Sequence, residues 1–204
     1  MFGLNKTELA VLKKLNTPIK IQNYLDTLPI NWEKTGETYL SPRQVLRRQT
    51  AHCFEGALLA AAALWLGGEP PLLLDLTAYP FDDDHVVALY RRGGRWGAIS
   101  KTNHATLRFR DPIYRTVREL AVSYFHEYFL DKNGRKVLQS YSRSFDLRRF
   151  GADWVATEAD LRWLMEALDR SRHYRLVPKK IQKFIRPADK MERRAGRLLE
   201  WPQI

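Results

Sequence analysis

Apolar positions recur at helical spacing twice near the start of the chain. Leu9, Leu12 and Leu15 form one side of a segment over 7–16 that Thr7 opens, and Ile21, Leu25 and Leu28 do the same over 18–28, where Pro29 closes it. The polar stretch 31–39 reads as a loop. Ser41-Pro42 then supplies an N-cap followed by proline at the first helical position, predicting a helix over 43–48. From Phe54 to Leu66 the residues are strong helix formers, apolar on almost every side, with Gly67-Gly68 as the stop. A helix apolar all round is a buried helix.

After Pro70-Pro71 the period changes. Short apolar runs at 72–77, 85–90 and 96–100 predict strands, and Gly93-Gly94 between the last two predicts a hairpin. Further on, the aromatic-rich stretch 113–130 predicts a long helix serving a core or an interface equally well, with its turn at 131–134. Thr157 and Asp160 predict a capped helix carrying Leu161, Leu164, Met165 and Leu168. Helices, then a small antiparallel sheet, then helices make an α+β fold with one buried helix packed on the sheet.

Composition narrows the class. With 204 residues, 45% of them hydrophobic, the chain supplies one well-filled core, so the expectation is a single domain over 1–204 with its centre at about 40–130. The longest apolar run, Ala57 to Leu66, falls short of the roughly 18 residues of a membrane span. The first residues form a lysine-containing amphipathic pattern, not a secretory signal, which points to the cytoplasm. A single cysteine excludes an internal disulfide and a Cys-rich zinc site. The scattered histidines suggest no metal centre, and no Gly-rich loop cradles phosphate, so no cofactor is expected.

Charge is uneven. The chain carries +11, of which 170–204 holds eleven basic and three acidic residues. That basic segment, predicted helical, reads as a solvated face or as a grip on an anionic partner. It lacks zinc-finger spacing and any RNP-type motif, so nucleic acid is not the expected partner. Oligomeric state is left open.

The candidate chemistry centres on Cys53. A helix N-terminus lowers a thiol's pKa by presenting backbone N–H groups and its dipole to the thiolate, and Cys53 stands at the head of the buried helix. His85 opens a strand after enough chain to turn back toward the thiol, where it would act as base and then acid. A third group should hold the imidazole's other nitrogen. If Gly93-Gly94 is a two-residue turn, His85 faces Thr102 and Ser100 lies diagonally on the same face; a three-residue loop instead sets Asn103 opposite His85. The acidic trio Asp82-Asp83-Asp84 is a further source of negative potential near His85. For the oxyanion, the Cys53 N–H is one donor and Gln49 a candidate second. His52 is expected to point away, and Glu55 to satisfy the helix dipole.

The order of Cys at the head of an apolar helix, His opening a strand, then Trp96 and a polar residue after a Gly-containing hairpin resembles the transglutaminase-like superfamily. Members include transglutaminases, cysteine proteases and peptide N-glycanases, which share a papain-like catalytic arrangement. The resemblance covers about 47–104, roughly a quarter of the chain. It implies a papain-like core, Cys53 as nucleophile and His85 as base. Where the family commonly has Asp, four residues after the Trp, this chain has Ser100; papain-like enzymes use Asn as third member, which keeps Asn103 in play. The implied activity is a cysteine hydrolase or acyltransferase working on a peptide, amide or ester bond through a thioester. The alternative is a catalytically impaired module of the same fold whose basic tail engages an anionic partner.

Overall fold

The computed structural model describes residues 2–33, 36–78 and 80–202. Three short helices lead the chain: α1 (Lys6–Lys14), α2 (Pro18–Thr27) and α3 (Pro42–Arg48). Each begins on a side-chain cap, at Asn5, Thr17 and Ser41, and the Asn5 and Ser41 caps are completed reciprocally by Glu8 and Gln44. The first helix thus opens two residues before the cap expected at Thr7. α4 (Cys53–Leu66) follows, and its residues Phe54 to Leu64 are all buried, as a helix without a polar face requires.

The sheet comprises β1 (Leu72–Thr77), β2 (His85–Arg92), β3 (Arg95–Ser100), β4 (Arg110–Tyr114), β5 (Ser140–Ser142), β6 (Phe145–Asp146) and β7 (His173–Arg175). Its order is β4-β3-β2-β1-β5-β7, with β6 also paired to β1, and every pairing is antiparallel. β2 is buried from His85 through Tyr90 because both sheet faces are covered. Val86, Ala88 and Tyr90 join the core under α4, while Val87 and Leu89 join a second core on the opposite face with Leu120, Tyr124 and Tyr128. The alternation is the period-two geometry of a strand. Gly93 and Gly94 both have positive φ, which a two-residue hairpin turn of this hand requires.

The second half departs from expectation in two places. The stretch 113–130 is not one long helix: Arg110–Tyr114 is edge strand β4, and only α5 (Val117–Tyr124) and a 3-10 turn at Phe125–Glu127 are helical. Thr116 caps α5, a break that the continuous aromatic pattern masks. The basic segment 170–204 is not a helical face either. Its described residues supply β7, a 3-10 stretch at Lys179–Phe184 and one short helix, α7 (Lys190–Gly196). α6 (Arg162–Asp169) forms with Leu164 and Leu168 buried, but Thr157 does not cap it; Asp160 instead accepts the Arg162 N–H. Among the described residues, no helix is long and apolar enough to cross a membrane.

Candidate active site

Cys53 is the first residue of α4, so its own N–H is among the helix's first-turn donors that lack intrahelical acceptors. Glu55 prepares this helix end. Its buried carboxylate accepts from the backbone N–H of His52 and Leu40 and from the side chains of Thr38 and Asn31, at 2.9 to 3.1 Å. One side chain thereby caps α4 and ties the 31–40 loop to it. The half-buried Cys53 thiol lies against the Asp84 carbonyl, 3.9 Å away.

The hairpin register decides among the candidates for a third member. Val87 pairs with Ser100 and Arg92 with Arg95, so the turn is two residues long and His85 lies diagonal to Ser100 on one face. His85 Nε2 meets Ser100 Oγ at 2.8 Å. The Ser100 hydroxyl donates its proton to the Leu107 carbonyl at 2.6 Å. A hydroxyl has one proton to give, so toward His85 it can only accept. Nε2 therefore carries the imidazole's proton, and Nδ1 keeps the lone pair that a thiol proton needs. Ser100 is itself immobilised: the Gln22 amide bonds its backbone N–H and C=O at 2.9 and 2.8 Å.

Neighbouring Lys101 anchors the same corner. Its buried ammonium donates to the Leu25 and Leu28 carbonyls at the end of α2. Burial brings it down to about 8, with Glu200 and Asp26 opposing. Gly56 of α4 faces Lys101 so closely that a Cβ there would lie 2.5 Å from the lysine Cβ. Only glycine permits that approach of helix to strand end.

The other candidates have different duties. Asn103 lines the cleft, but its amide is spent on the C-terminal segment, donating to the Trp201 carbonyl and accepting the Trp201 N–H, both at 2.8 Å. Gln49 is not brought to the thiol: it ends α3 in a left-handed conformation and donates to the Tyr24 hydroxyl and the Leu46 carbonyl. Thr102 accepts the His104 N–H. Asp84 accepts the Ala78 N–H at 2.7 Å and meets the cysteine through its backbone.

His52 lies where the sequence pattern did not put it. Instead of pointing away, its imidazole sits beside Cys53, held by an Nε2 hydrogen bond to the Thr38 carbonyl at 2.8 Å and flanked by Glu55 at 3.4 Å. Burial alone would depress this histidine, but the thiolate, Glu55 and Thr38 outweigh it and push it up to about 9. Burial alone would likewise raise the thiol; hydrogen bonding and charge from His52 and His85 bring it down to about 6. At neutral pH the pair is thiolate and imidazolium.

Around this group opens a cleft of about 600 Å³. Asp82 to Asp84 and Tyr128 wall one part of it, and the C-terminal segment borders another through Gly196, Arg197 and Leu199. That segment is docked as an added edge: Leu198 O accepts the Ala105 N–H, and Glu200 N–H donates to Asn103 O. Arg193 and Arg197 bind around Asp131, so part of the tail's charge is spent inside the molecule. No group of three side chains among the described residues could hold a metal ion. No family model matches the chain, and no curated protein matches it either.

Proposed function

We propose that the protein is a cysteine-dependent hydrolase or acyltransferase acting on an amide or ester, with the papain-like core that the transglutaminase-like resemblance implies. The observation that carries this reading is the arrangement at Cys53: a thiol at a helix N-terminus, held near pKa 6 by two imidazoles, one of which is fixed in a single tautomer by Ser100. Packing alone asks for none of these. A structural cysteine is inert because its surroundings disfavour the thiolate, and these surroundings favour it.

The Cys53 thiolate attacks the carbonyl carbon, and the developing oxyanion takes hydrogen bonds from the first N–H groups of α4. The proton that left the thiol is held at His85 Nδ1, which gives it to the leaving amine or alcohol. The C–N or C–O bond breaks and a thioester remains. Water or an amine then gives a proton to His85 Nδ1 as it attacks the thioester, and the thiolate departs. His52, raised to about 9, stays protonated and serves as a fixed charge beside the sulfur, which leaves proton transfer to His85. Ser100 positions His85 without adding charge, as a neutral third member does in papain-like enzymes.

The test is the rate of iodoacetamide alkylation of Cys53 between pH 5 and 10, joined to mass-spectrometric capture of an acyl group from p-nitrophenyl acetate. The reading expects an inflection near pH 6, a plateau by pH 8 and an acetyl group on Cys53. Alkylation only above the ordinary thiol pKa of about 8.5, or only after denaturation, overturns it.

A further inference from the structure

On the other side of the 82–84 loop lies a second cavity, of about 450 Å³, between β1, α6 and β7. Its polar wall is almost wholly acidic: Asp75, Asp82, Asp83, Asp84 and Asp169, with His173 among them. Asp75 stands in the middle of a central strand with its side chain 1% exposed. Its Oδ2 is well served, accepting from His173 Nε2 at 2.9 Å and from the Thr77 hydroxyl at 3.3 Å. Its Oδ1 has no hydrogen-bond partner among the described residues. A buried carboxylate oxygen without a donor costs far more than a buried apolar atom, and a core position with no role for it would carry Val or Leu, as its neighbours do.

We propose that this cavity binds an organic cation, an alkylammonium or guanidinium group, whose N–H donors satisfy Asp75 Oδ1 and reach Asp169 and the acidic loop. Three features favour this ligand class. His173 answers only part of the negative charge: its Nδ1 donates to Ser171 O at 2.8 Å and its Nε2 to Asp75, so the ring is an imidazolium paired with that one carboxylate. Asp169 closes the C-terminus of α6, whose dipole adds negative potential, and Arg170 beside it is paired to Glu166. The acidic side chains surround a space of about 450 Å³ without converging on one point, which suits a multi-donor organic group better than a bare metal ion.

The proposal stands apart from the hydrolase reading. It is tested by calorimetric titration of the full chain with n-butylguanidinium and n-butylammonium chlorides at constant ionic strength, against sodium and magnesium chlorides. Saturable one-site binding is expected, weakened at least tenfold by Asp169→Asn and by Asp75→Asn, and unchanged in Cys53→Ala. Heats no larger than those of sodium chloride overturn it. So does an affinity that Asp169→Asn leaves intact, or equal competition by magnesium, which would mark a diffuse acidic surface or a metal site. Should Asp75→Asn fail to fold, the titration of Asp169→Asn, altered at an exposed position, decides the matter alone. Because Cys53→Ala leaves the acidic cavity whole, loss of thiol chemistry and loss of cation binding are separate results.

Discussion

Two histidines, His85 and His173, flank the 82–84 loop on opposite sides, and they are built in opposite ways. His173 has a buried carboxylate, Asp75, on one nitrogen and a carbonyl, Ser171 O, on the other. His85 has a neutral hydroxyl on one nitrogen, and that hydroxyl is turned by Leu107 O so that it can only accept. A search for His–Asp pairs would choose His173 as the catalytic base. The geometry argues the reverse: both His173 nitrogens must donate, so it holds its proton as a fixed charge, whereas His85 keeps a lone pair to exchange. What a histidine does is decided by how many of its nitrogens are committed, more than by whether a carboxylate is nearby.

Substitutions can break this comparison. The largest effect belongs to Cys53→Ala, which should abolish iodoacetamide labelling and acetyl capture while leaving circular dichroism unchanged; residual acyl transfer would move the chemistry elsewhere. His85→Ala comes next, with acylation expected to fall about 10²- to 10⁴-fold, the usual contribution of a positioned acid–base group. His173→Ala should leave acylation almost untouched. It should cost about 3 kcal/mol in urea unfolding, because it strands the buried Asp75 charge. If the two kinetic phenotypes exchange, the assignment of roles falls.

Ser100 sharpens the contrast. Ser100→Ala leaves Nε2–H without its acceptor and should reduce acylation by about tenfold, comparable to the loss of one hydrogen bond of about 1.5 kcal/mol. Ser100→Asp, which introduces the carboxylate that transglutaminase-like enzymes commonly carry, should not exceed the wild type. An aspartate has no proton for Leu107 O, so one of its oxygens would face a carbonyl at the distance where the hydroxyl now donates. Acylation faster than wild type in Ser100→Asp would show that a carboxylate is tolerated and that the serine is a handicap.

Much of this arrangement was legible in the sequence, for physical reasons that also explain the failures. α4, the three central strands and the Gly-Gly turn follow from local pattern, and once the turn length is known the alternation of a strand places Ser100 beside His85. The β4–α5 break was not legible, because an edge strand and a short helix that share one aromatic-rich run have no change of composition between them. His52 was misjudged for a different reason: its direction is set by Thr38 and Glu55, contacts that depend on how the 31–40 loop closes over α4. Asp75 and His173 are 98 residues apart and meet only because β7 joins β1 through β5. No local pattern carries that.

The same long-range pair gives a pH test of stability. His173 is raised above its ordinary value, first by its hydrogen bond to Asp75 and against the opposing effect of burial. A histidine bound more tightly to its proton in the folded state contributes stability that is complete below the unfolded value of about 6.5 and is lost as pH rises through the higher folded value. The urea midpoint of the wild type should therefore decline above neutrality by more than that of His173→Gln, which has no such proton to lose. Identical slopes would mean that His173 is neutral in the folded protein, and the comparison with His85 would lose its basis.

The smallest effect is expected from His52→Gln, and it separates charge from positioning. Glutamine can keep a bond to Thr38 O but cannot carry the imidazolium charge that helps hold Cys53 near 6. The alkylation inflection should move upward, toward but not reaching the ordinary thiol value, because His85 still acts on the sulfur. Below about pH 7 the variant should react severalfold more slowly, and the two rate curves should converge at alkaline pH, where both thiols are ionised. A uniform loss at every pH would instead mean that His52 positions the sulfur without setting its charge, and His85 would then be the sole source of the activated thiolate.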